Sequence, residues 1–436
     1  MVTDGSPAPV NPINGLKELD PIFPQFTTNS NGLGARHNAD QCFGCHFQPG
    51  LGGSGGFLVP NPQQVAAGMS PNPPENPQFD LIPHRFGKHN VVPSFEQRFG
   101  PIREVRFINQ LDPSGNVLPG VPDGGVHQLW VVTGISNDPT LGGCSLTQPD
   151  FEKQVQQNNV SFRIPLPRFG LGLIDSIQDR EILAHQAATA SQRAALGIGG
   201  HPNRSGNDGT ITRFGWKAQN KSITMFAGEA YNVEMGITNE LFPQAKEEDP
   251  GCNGPEKPEP NDVTRTQPND KINQAFNNPL HILADWMQFQ LLMRFTDAPA
   301  PDPNPSPSAI RGRTVFSTVG CALCHTPKMQ TAPTLLSAVL QNRPVNLFSD
   351  LLVHDMGDGL ADGISQGAAG PREFRTTPLW GVGQRIFFLH DGRTNDLLVA
   401  ILDHASNGSE ANAVVQQFNA LGVADKQAIL DFLRSL

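Results

Sequence analysis

The same five-residue pattern occurs at two distant places in the chain. The copies are CFGCH at residues 42–46 and CALCH at residues 321–325. In each copy, two cysteines lie three positions apart and a histidine follows at once. Whatever this pattern binds must use thiol and imidazole groups together, and the fold must build two such sites.

The spacing favours covalent attachment of haem c over the other uses of such motifs. Two thiols three apart on a short turn reach the two vinyl groups of one porphyrin, and the adjacent histidine reaches the iron. A zinc site would need four ligands from neighbouring motifs, and a thioredoxin-like motif would lie in a βαβ pattern. We therefore predict two haem c groups with His46 and His325 as proximal ligands. The attachment residues are predicted to be Cys42, Cys45, Cys321 and Cys324.

Composition narrows both the fold and the function. The chain has 436 residues, which suggests two domains. It contains 44 Gly and 40 Pro and only 17% charged residues, which predicts long ordered loops. The net charge of −10 argues against nucleic acid as a partner, and no apolar run has the length of a membrane span. Residues 1–30 resemble the trimmed start of an exported protein, so we expect a periplasmic or secreted location.

Two cysteines lie outside the CxxCH motifs. Cys144 and Cys252 are found in loop-like segments rich in Gly or Pro. In an oxidising compartment they would pair with each other. The alternative is two buried free thiols, and the sequence leaves both possibilities open.

Three pairs of segments match in the same order after each CxxCH motif. They are 161–172 with 373–383, 213–222 with 388–397, and 231–240 with 401–410. The first pair shares Phe-Arg followed by a Pro-Leu or Leu-Pro turn, and the second shares a Gly turn followed by a polar helix start. Matches that keep their order predict an internal duplication.

Helical patterns surround the second motif. Residues 308–325 read as a helix that leads into it, with Gly312 and Phe316 on a face spaced to pack against another helix. Residues 424–436 read as an amphipathic helix at the end of the sequence. Such a pair of helices is the frame of a cytochrome c domain. We expect a mainly α fold with long irregular loops, made of two cytochrome c-like haem domains.

A polar linker divides the chain into these domains. The segment DAPAPDPNPSPS at 297–308 is rich in Pro and follows a stretch that reads as helical. We therefore predict an N-terminal haem domain with large loop insertions at 1–300. The C-terminal cytochrome c-like haem domain is predicted at 301–436.

Four longer motifs carry a resemblance to a known family. They are GLGARHNADQCFGCHFQPGLGGS, HPNRSGNDGTITRFGWKAQNKS, GEAYNVEMGITNELFP and EFRTTPLWGVGQRIFFLHDGRT. They span nearly the whole chain, and the last is the most specific. With them the chain resembles the bacterial di-haem cytochrome c peroxidase superfamily and, within it, the secreted di-haem oxidoreductases often described as peroxidases or thiol oxidoreductases. The superfamily also contains a methylamine-dehydrogenase maturation enzyme and rubber oxygenases, so the resemblance does not identify the substrate.

The resemblance implies two haems with different roles. The C-terminal haem would be six-coordinate and would relay electrons, with its second ligand on the helix after the His-Asp-Gly-Arg turn. That position is His404 in this sequence, and Met356 is the alternative ligand. The N-terminal haem would then be the reactive one.

The family also places an acidic residue in a Glu-Met-Gly motif, which is Glu234 here. Peroxide cleavage needs a group that moves a proton between the two oxygens. A carboxyl beside an apolar haem face would keep a proton because desolvation raises its pKa; the alternative is an exposed or helix-capping Glu. The preceding turn reads Phe-Gly-Trp-Lys and departs from the family's Trp-Asp-Gly-Arg. This departure leaves Trp216 as a candidate haem-stacking or electron-relay residue. Tyr231 lies three residues before Glu234 and is a candidate hydrogen-bond donor or radical site.

Four residues are predicted to contact the second haem. Arg375 and Arg393 are candidate propionate partners, because guanidinium groups bind carboxylates in a bidentate manner. His390 is expected to pack near this haem and to bond a propionate or the backbone. Trp380 could lie between the haems, with a place in the core as the alternative.

Two further predictions concern the region between the first motif and residue 210. One of His84, His89 and His127 could close the N-terminal iron, although a histidine in such a position is more often a loop or core residue. The segment NRSGNDGT at 203–210 offers oxygen ligands for Ca²⁺. The alternative there is an ordinary Asx and Gly turn.

Together these residues predict a di-haem c-type oxidoreductase that is peroxidase-like. Its partners would be peroxide or O₂ and a redox partner protein that gives or takes electrons. One alternative is a non-catalytic electron-transfer cytochrome in which protein ligands close both haems. Another is an oxygenase or a protein-modifying di-haem enzyme.

Overall fold

The computed structural model describes most of the chain from residue 90 onward and short segments before it. The described residues are 36–39, 42–48, 50, 52–55, 76–79, 90–131, 146–236, 241–242, 293–333 and 337–436. Cys144 and Cys252 lie outside them, so the pairing of these cysteines stays a prediction, and so do the roles of His84 and His89. Nowhere in this part of the chain is a helix both long and apolar enough to cross a membrane.

The strands are short and form antiparallel pairs. Strand β1 (Arg36–His37) pairs with β5 (Trp130–Val131), β2 (Glu104–Phe107) with β6 (Val160–Arg163), and β3 (Asn109–Leu111) with β4 (Val117–Pro122). Strand β7 (Met329–Gln330) pairs with β8 (Pro344–Val345), and β9 (Val353–Asp355) with β10 (Glu373–Arg375).

Helices account for most of the remaining regular structure. Those before residue 300 are α1 (Cys42–Cys45), α2 (Phe151–Gln156), α3 (Leu171–Asp175), α4 (Asp179–Ala188), α5 (Ala190–Ala195) and α6 (Ile223–Met235). Those after it are α7 (Pro307–Thr318), α8 (Leu397–Leu402), α9 (Asn412–Ala420) and α10 (Val423–Arg434). Short 3₁₀ turns occur at Pro77–Phe79, Cys321–Leu323, Asp358–Leu360 and Val382–Gln384.

Side-chain caps explain where the functional helices begin. The Ser222 side chain accepts the N–H of Met225 at the start of α6, and Asp396 accepts two backbone N–H groups at the start of α8. Such caps satisfy donors that the first turn leaves open. Helix α6 ends at Gly236, whose φ of 67° is left-handed, a conformation that glycine adopts without steric cost.

Helices α7 and α10 pack closely and support the second motif. A Cβ atom at Gly312 would lie 1.8 Å from the carbonyl oxygen of Ala428, so only glycine allows this approach. The rings of Phe316 and Phe432 meet across the interface with centroids 5.4 Å apart. The predicted packing face at Gly312 and Phe316 is therefore confirmed.

Strand β2 separates an apolar core from a charged face. Val105 and Phe107 are fully buried in a cluster with Leu129, Trp130 and Phe151. The alternating side chains of a strand point to opposite faces, so Glu104 and Arg106 lie on the other side. That second face belongs to the site described below.

The segments matched as repeats have like local structures. Both Phe-Arg pairs lie in strands of two-stranded sheets, β6 and β10. An isolated bridge joins Phe214 to Asn220, and another joins Phe388 to Thr394, each just before a capped helix. Helices and long irregular loops are present as expected, whereas the pairs of short strands were not expected; the mainly α description and the internal duplication stay predictions.

Candidate active site

The second CxxCH motif lines an apolar cavity of about 240 Å³. The chain turns sharply after α7, and the N–H of His325 donates to the carbonyl oxygen of Cys321 at 2.9 Å. Because this turn is so tight, Cys321, Cys324 and His325 all line the one cavity. Its remaining walls are largely apolar and include Phe316, Leu397, Val414, Phe418 and Leu433.

A second histidine lines the same cavity, from the end of α8. Nδ1 of His404 lies 2.7 Å from the carbonyl oxygen of Ala400, and Nδ1 of His325 lies 3.0 Å from that of Phe348. Each ring can donate its Nδ1–H to the backbone, which leaves Nε2 with a lone pair, as in metal-ligating histidines. Burial lowers the pKa of His404, and burial lowers the pKa of His325 to about 4. Both rings are therefore neutral at pH 7. Met356 also lines the cavity.

Two arginines in the cavity wall, the buried Arg375 and the partly buried Arg385, lack carboxylate partners among the described residues. Nη1 of Arg375 donates to the carbonyl oxygen of Arg213 at 3.0 Å, but its Nε has no partner there. In Arg385 both Nε and Nη2 are buried without a partner in the described part of the chain. Burial lowers the pKa of each guanidinium to about 10. A ligand that brings carboxylates would satisfy these donors, since unpaired buried charge is costly.

Aromatic groups form a further wall. His390 stacks on Phe374 with ring centroids 4.3 Å apart, and Trp216 approaches His390 edge-on at 6.3 Å. The indole N–H of Trp216 donates to the carbonyl oxygen of Ile164 at 2.8 Å. Burial lowers the pKa of His390 to about 4. Trp216 thus belongs to the lining of the C-terminal cavity, although the sequence suggested a role for it at the reactive N-terminal haem.

A charged cluster lies directly behind the second motif. Nε2 of His354 lies 3.0 Å from Oδ2 of Asp350, and its Nδ1 lies 2.7 Å from Oε2 of Glu410 and 3.7 Å from the sulfur of Cys324. Arg193 donates to Asp350 and to the carbonyl oxygen of Leu323. These contacts join the motif to α5, to strand β9 and to the loop that precedes α9.

The first motif has different surroundings. The N–H of His46 donates to the carbonyl oxygen of Cys42 at 3.0 Å, and its Nδ1 lies 3.2 Å from the carbonyl oxygen of Gly53. Nη2 of Arg168 lies 3.0 Å from Nε2 of His46, the atom that a proximal histidine gives to iron. The pKa of His46 is well below its usual value because the ring is buried and faces Arg168.

Glu234 lies close to this first motif, at the end of α6. Its backbone carbonyl accepts the N–H of Asn38 at 2.7 Å, and its Oε2 accepts the side-chain N–H of Asn38 at 2.9 Å. Asn38 is four residues before Cys42, so α6 and the motif are joined through one short segment. The Glu234 carboxyl also makes a hydrogen bond to Glu104 of β2. Burial and then the charge of Glu104 raise the pKa of Glu234 to about 8.

Trp380 belongs to the apolar cluster that packs against Cys42. It lines the large cavity and also a small cavity of about 20 Å³, whose walls include Phe169, Phe226 and Arg375. The edge of its ring is close against Gly170, where an added Cβ would come within 2.6 Å. Tyr231 is buried in the apolar cluster that also contacts Cys42. Both positions allow the predicted roles, which stay predictions.

Two residues named from the sequence, Arg393 and His127, have contacts other than those with a haem. Arg393 binds Asp391 and donates to the carbonyl oxygen of Gly359 at 2.6 Å, and it is not part of the cavity lining. His127 stacks on Phe107 with centroids 3.7 Å apart, with its Nε2 3.0 Å from Asp123.

The loop at 203–210 holds no convergent oxygen set. Oδ1 of Asn203 accepts the backbone N–H groups of Arg204 and Ala368, and Asp208 pairs with Lys221 and caps Thr210. No group of three or more His, Cys, Asp or Glu side chains in the described residues could hold a metal ion. The turn is the better description, and calcium stays a prediction.

Several functional candidates escaped sequence reasoning. They are Glu104, Arg168, His354 and Arg385. Glu104 and Arg106 carry a signal, the alternation of charged and apolar residues in EVRF. No comparable sequence pattern distinguishes Arg168, His354 and Arg385 from surface residues.

The donor set of the C-terminal cavity fits a haem. Two thiols, the neutral imidazoles of His325 and His404, and two incompletely satisfied guanidinium groups line a largely apolar space. The N-terminal site fits in its thiols and in the orientation of His46, while Arg168 would have to leave Nε2 for iron to bind there.

Comparisons with solved structures give distant matches. One is a xenon-pressurised hydrazine synthase of Kuenenia stuttgartiensis, with 18% identity and a TM-score of 0.24, and the match covers 36% of this chain and 56% of that chain. Another is the diheme peroxidase BthA of Burkholderia thailandensis E264, with 14% identity and a TM-score of 0.32, and the match covers 56% of this chain and 76% of that chain. A third is a MauG-like protein associated with microbial copper homeostasis, with 15% identity and a TM-score of 0.33, and the match covers 62% of this chain and 90% of that chain. The chain thus spans little more than half the length of the hydrazine synthase chain. TM-scores this low support no inference about this chain.

The family comparison is decisive. A search of curated proteins gave no match. The family model described as "Di-haem oxidoreductase, putative peroxidase" matches residues 140–436, which is more than half of the chain and includes the second CxxCH motif. The chain belongs to the di-haem oxidoreductase family.

Proposed function

We propose that this di-haem oxidoreductase is peroxidase-like, with a reactive N-terminal haem and an electron-relay C-terminal haem. The proposal depends on one contrast. The C-terminal cavity has a second histidine, His404, with its Nε2 available. Near the first motif the corresponding polar group is a carboxyl, Glu234, which can hold a proton.

When bound, haem supplies the redox chemistry: it passes the two electrons that cleavage of an O–O bond requires. The chain's residues bind and orient it. His325 and His404 would hold the C-terminal iron from two sides, while Arg375 and Arg385 would neutralise propionates. Trp380, which lines the C-terminal cavity and belongs to the apolar cluster that packs against Cys42, would lie on the route between the haems.

Glu234 would manage the protons of the reaction. Reduction of one peroxide consumes two electrons and two protons and gives two water molecules. A protonated carboxyl near the peroxide can give its proton to the departing oxygen, which then leaves as water, and can take up the proton of the other oxygen. Because its pKa is about 8, Glu234 is protonated at pH 7 and can also donate.

The direct test is the variant Glu234→Gln. We expect two haems per chain and a rate of peroxide-dependent oxidation of a one-electron donor dye that is about 10²–10⁴-fold lower. Glu96→Gln is the matched control, because Glu96 is also buried and also has a pKa raised to about 8 by burial, but its partners are Asn76 and Arg103, away from the first motif. An unchanged rate in Glu234→Gln, with the control equal to wild type, would remove the proposed role.

We also infer two duplicated haem domains at 1–300 and 301–436. The shared strand, bridge and capped-helix order of the matched segments supports this division. Covalent attachment through all four motif cysteines follows from the CxxCH pattern. The mass of the denatured protein tests it, since two attached haems must remain with the chain. Thioether attachment and a redox partner protein suit a periplasmic or secreted location.

A further inference from the structure

We propose that Glu104 is a positioning residue for Glu234: the two side chains form one hydrogen-bonded pair that holds a single proton on Glu234. This inference rests on the proposed role of Glu234 in peroxide reduction. It adds a residue from strand β2, which is distant in sequence from both CxxCH motifs.

The geometry supports the pair from both ends. Asn38 donates to Oε2 of Glu234 at 2.9 Å, so one oxygen of this carboxyl is already an acceptor. Glu104 supplies the hydrogen-bond partner on strand β2. Arg106, two residues along the same face of that strand, donates its Nε–H to Oε1 of Glu104. The pair is thereby fixed between an amide donor and a guanidinium donor.

The neighbouring strand adds a second cation. Glu104 lies directly opposite Arg163 in the pairing of β2 with β6, and side chains at such positions are close on one face. Arg163 is held in turn by Asp362 at 2.7 Å and Gln366 at 2.6 Å. Two arginines therefore face Glu104, and a carboxylate is the form that they favour.

Other charged groups face Glu234 at longer range. They are Cys42 and Arg168 from the first motif region and Arg106 from β2. The charges of Arg106 and Arg168 favour an ionised Glu234, while Glu104 and burial oppose ionisation. Burial alone would raise the pKa of Glu104, but Arg106 and then Arg163 outweigh it and lower that pKa. The single proton of the pair therefore belongs to Glu234.

This arrangement gives Glu234 a defined starting state. With Glu104 ionised, the proton has one place to reside, and the carboxyl cannot rotate freely between donor and acceptor orientations. A lone buried glutamate would lack this control. Glu104 is not expected to touch peroxide; it acts through Glu234.

Infrared spectroscopy of the carboxylic acid C=O band during a pH titration tests the pair without relying on turnover. The band of Glu234 is identified by its loss in Glu234→Gln, and Glu96→Gln identifies the band of the other buried glutamic acid. In Glu104→Gln, the Glu234 titration midpoint should fall by about 1–3 pH units, because the repelling charge is gone and the new amide can donate to a carboxylate. Glu104→Asp should retain most of the wild-type midpoint.

A second variant gives a shift of opposite sign. In Arg106→Gln, the loss of the cation should move the midpoint of the pair upward, above about 8. This upward shift can be measured even if Glu104→Gln does not load haem. A Glu234 midpoint that is unchanged in both variants would overturn the pair. Peroxide turnover in Glu234→Gln decides the proposed function separately: an unchanged rate there would reject it even if the infrared shifts occurred.

Discussion

The two CxxCH motifs have nearly the same local structure and very different surroundings. In both, the histidine N–H donates to the carbonyl oxygen of the first cysteine, and the Nδ1 atom lies near a backbone carbonyl. Around the second motif, His404 and two arginines line an apolar cavity. Around the first, Arg168 lies at the imidazole and a carboxyl pair lies nearby.

The difference teaches that the motif and its surroundings determine different properties. A CxxCH turn specifies attachment and the proximal ligand, because both depend only on residues next to each other in sequence. The second ligand and the protons depend on elements that tertiary packing brings in, α8 for one site and α6 with β2 for the other. Two copies of one motif can therefore serve different chemistry.

The largest expected effect comes from removing the second ligand. In His404→Ala the C-terminal haem should lose its low-spin electronic and EPR signals completely, while both haems stay attached, because the thioether bonds are unaffected. Met356→Leu is the control and should keep the low-spin signals. The reverse outcome, with Met356→Leu losing them, would make methionine the ligand.

The next effect is the pH dependence at the first site. Glu234 keeps its proton up to about pH 8 and loses it above that value, so the acid form needed for proton delivery disappears as pH rises. The rate of peroxide reduction should then fall by about tenfold per pH unit above pH 8. Stopped-flow measurements across this range check it, and a decline that persisted in Glu234→Gln would have to come from another group.

A smaller effect is expected from one arginine of the cavity. Arg385→Met removes a positive charge that favours the reduced haem, so the reduction potential of the C-terminal haem should fall. For a charge about 8 Å away at an effective dielectric constant of about 20, the effect is about 2 kcal/mol. Spectroelectrochemical titration measures it. An unchanged potential would mean that Arg385 does not face the propionates.

The smallest effect is expected at Arg393. Its partner is Asp391 at a partly exposed position, and such ion pairs contribute about 0–1 kcal/mol. Arg393→Ala should therefore leave the potential of the C-terminal haem unchanged in the same titration. A fall comparable to that in Arg385→Met would restore the sequence-based prediction of a propionate contact.

Local patterns predicted the parts of the molecule that depend on local sequence. The motif histidines and the Gly312 and Phe316 packing face follow from spacing along a turn or helix, whereas His404 was named from the family resemblance. Arg375 was named because guanidinium groups bind carboxylates, and it lines the cavity. Arg393 was named for the same reason, but its neighbour Asp391 pairs with it, so its contact with a propionate stays a prediction.

Long-range pairing explains what the sequence could not show. Glu104 and Glu234 are brought together by contacts between distant segments. Asn38, which follows β1, binds Glu234 at the end of α6, and the strand of Glu104, β2, pairs with β6. Trp216 lines the C-terminal cavity because its turn packs beside His390, a contact between segments far apart in the chain. Such contacts depend on how distant segments pack together, and the pattern of apolar residues within one segment does not specify that packing.

The EPR spectrum of the fully oxidised protein tests the central claim most directly, because it reports the ligands of both haems at once. The account predicts one low-spin haem, closed by His325 and His404, and one high-spin haem at the first motif. Two low-spin haems of equal intensity would mean that protein ligands close both irons. That result would contradict the reactive role of the N-terminal site and favour a protein that only transfers electrons.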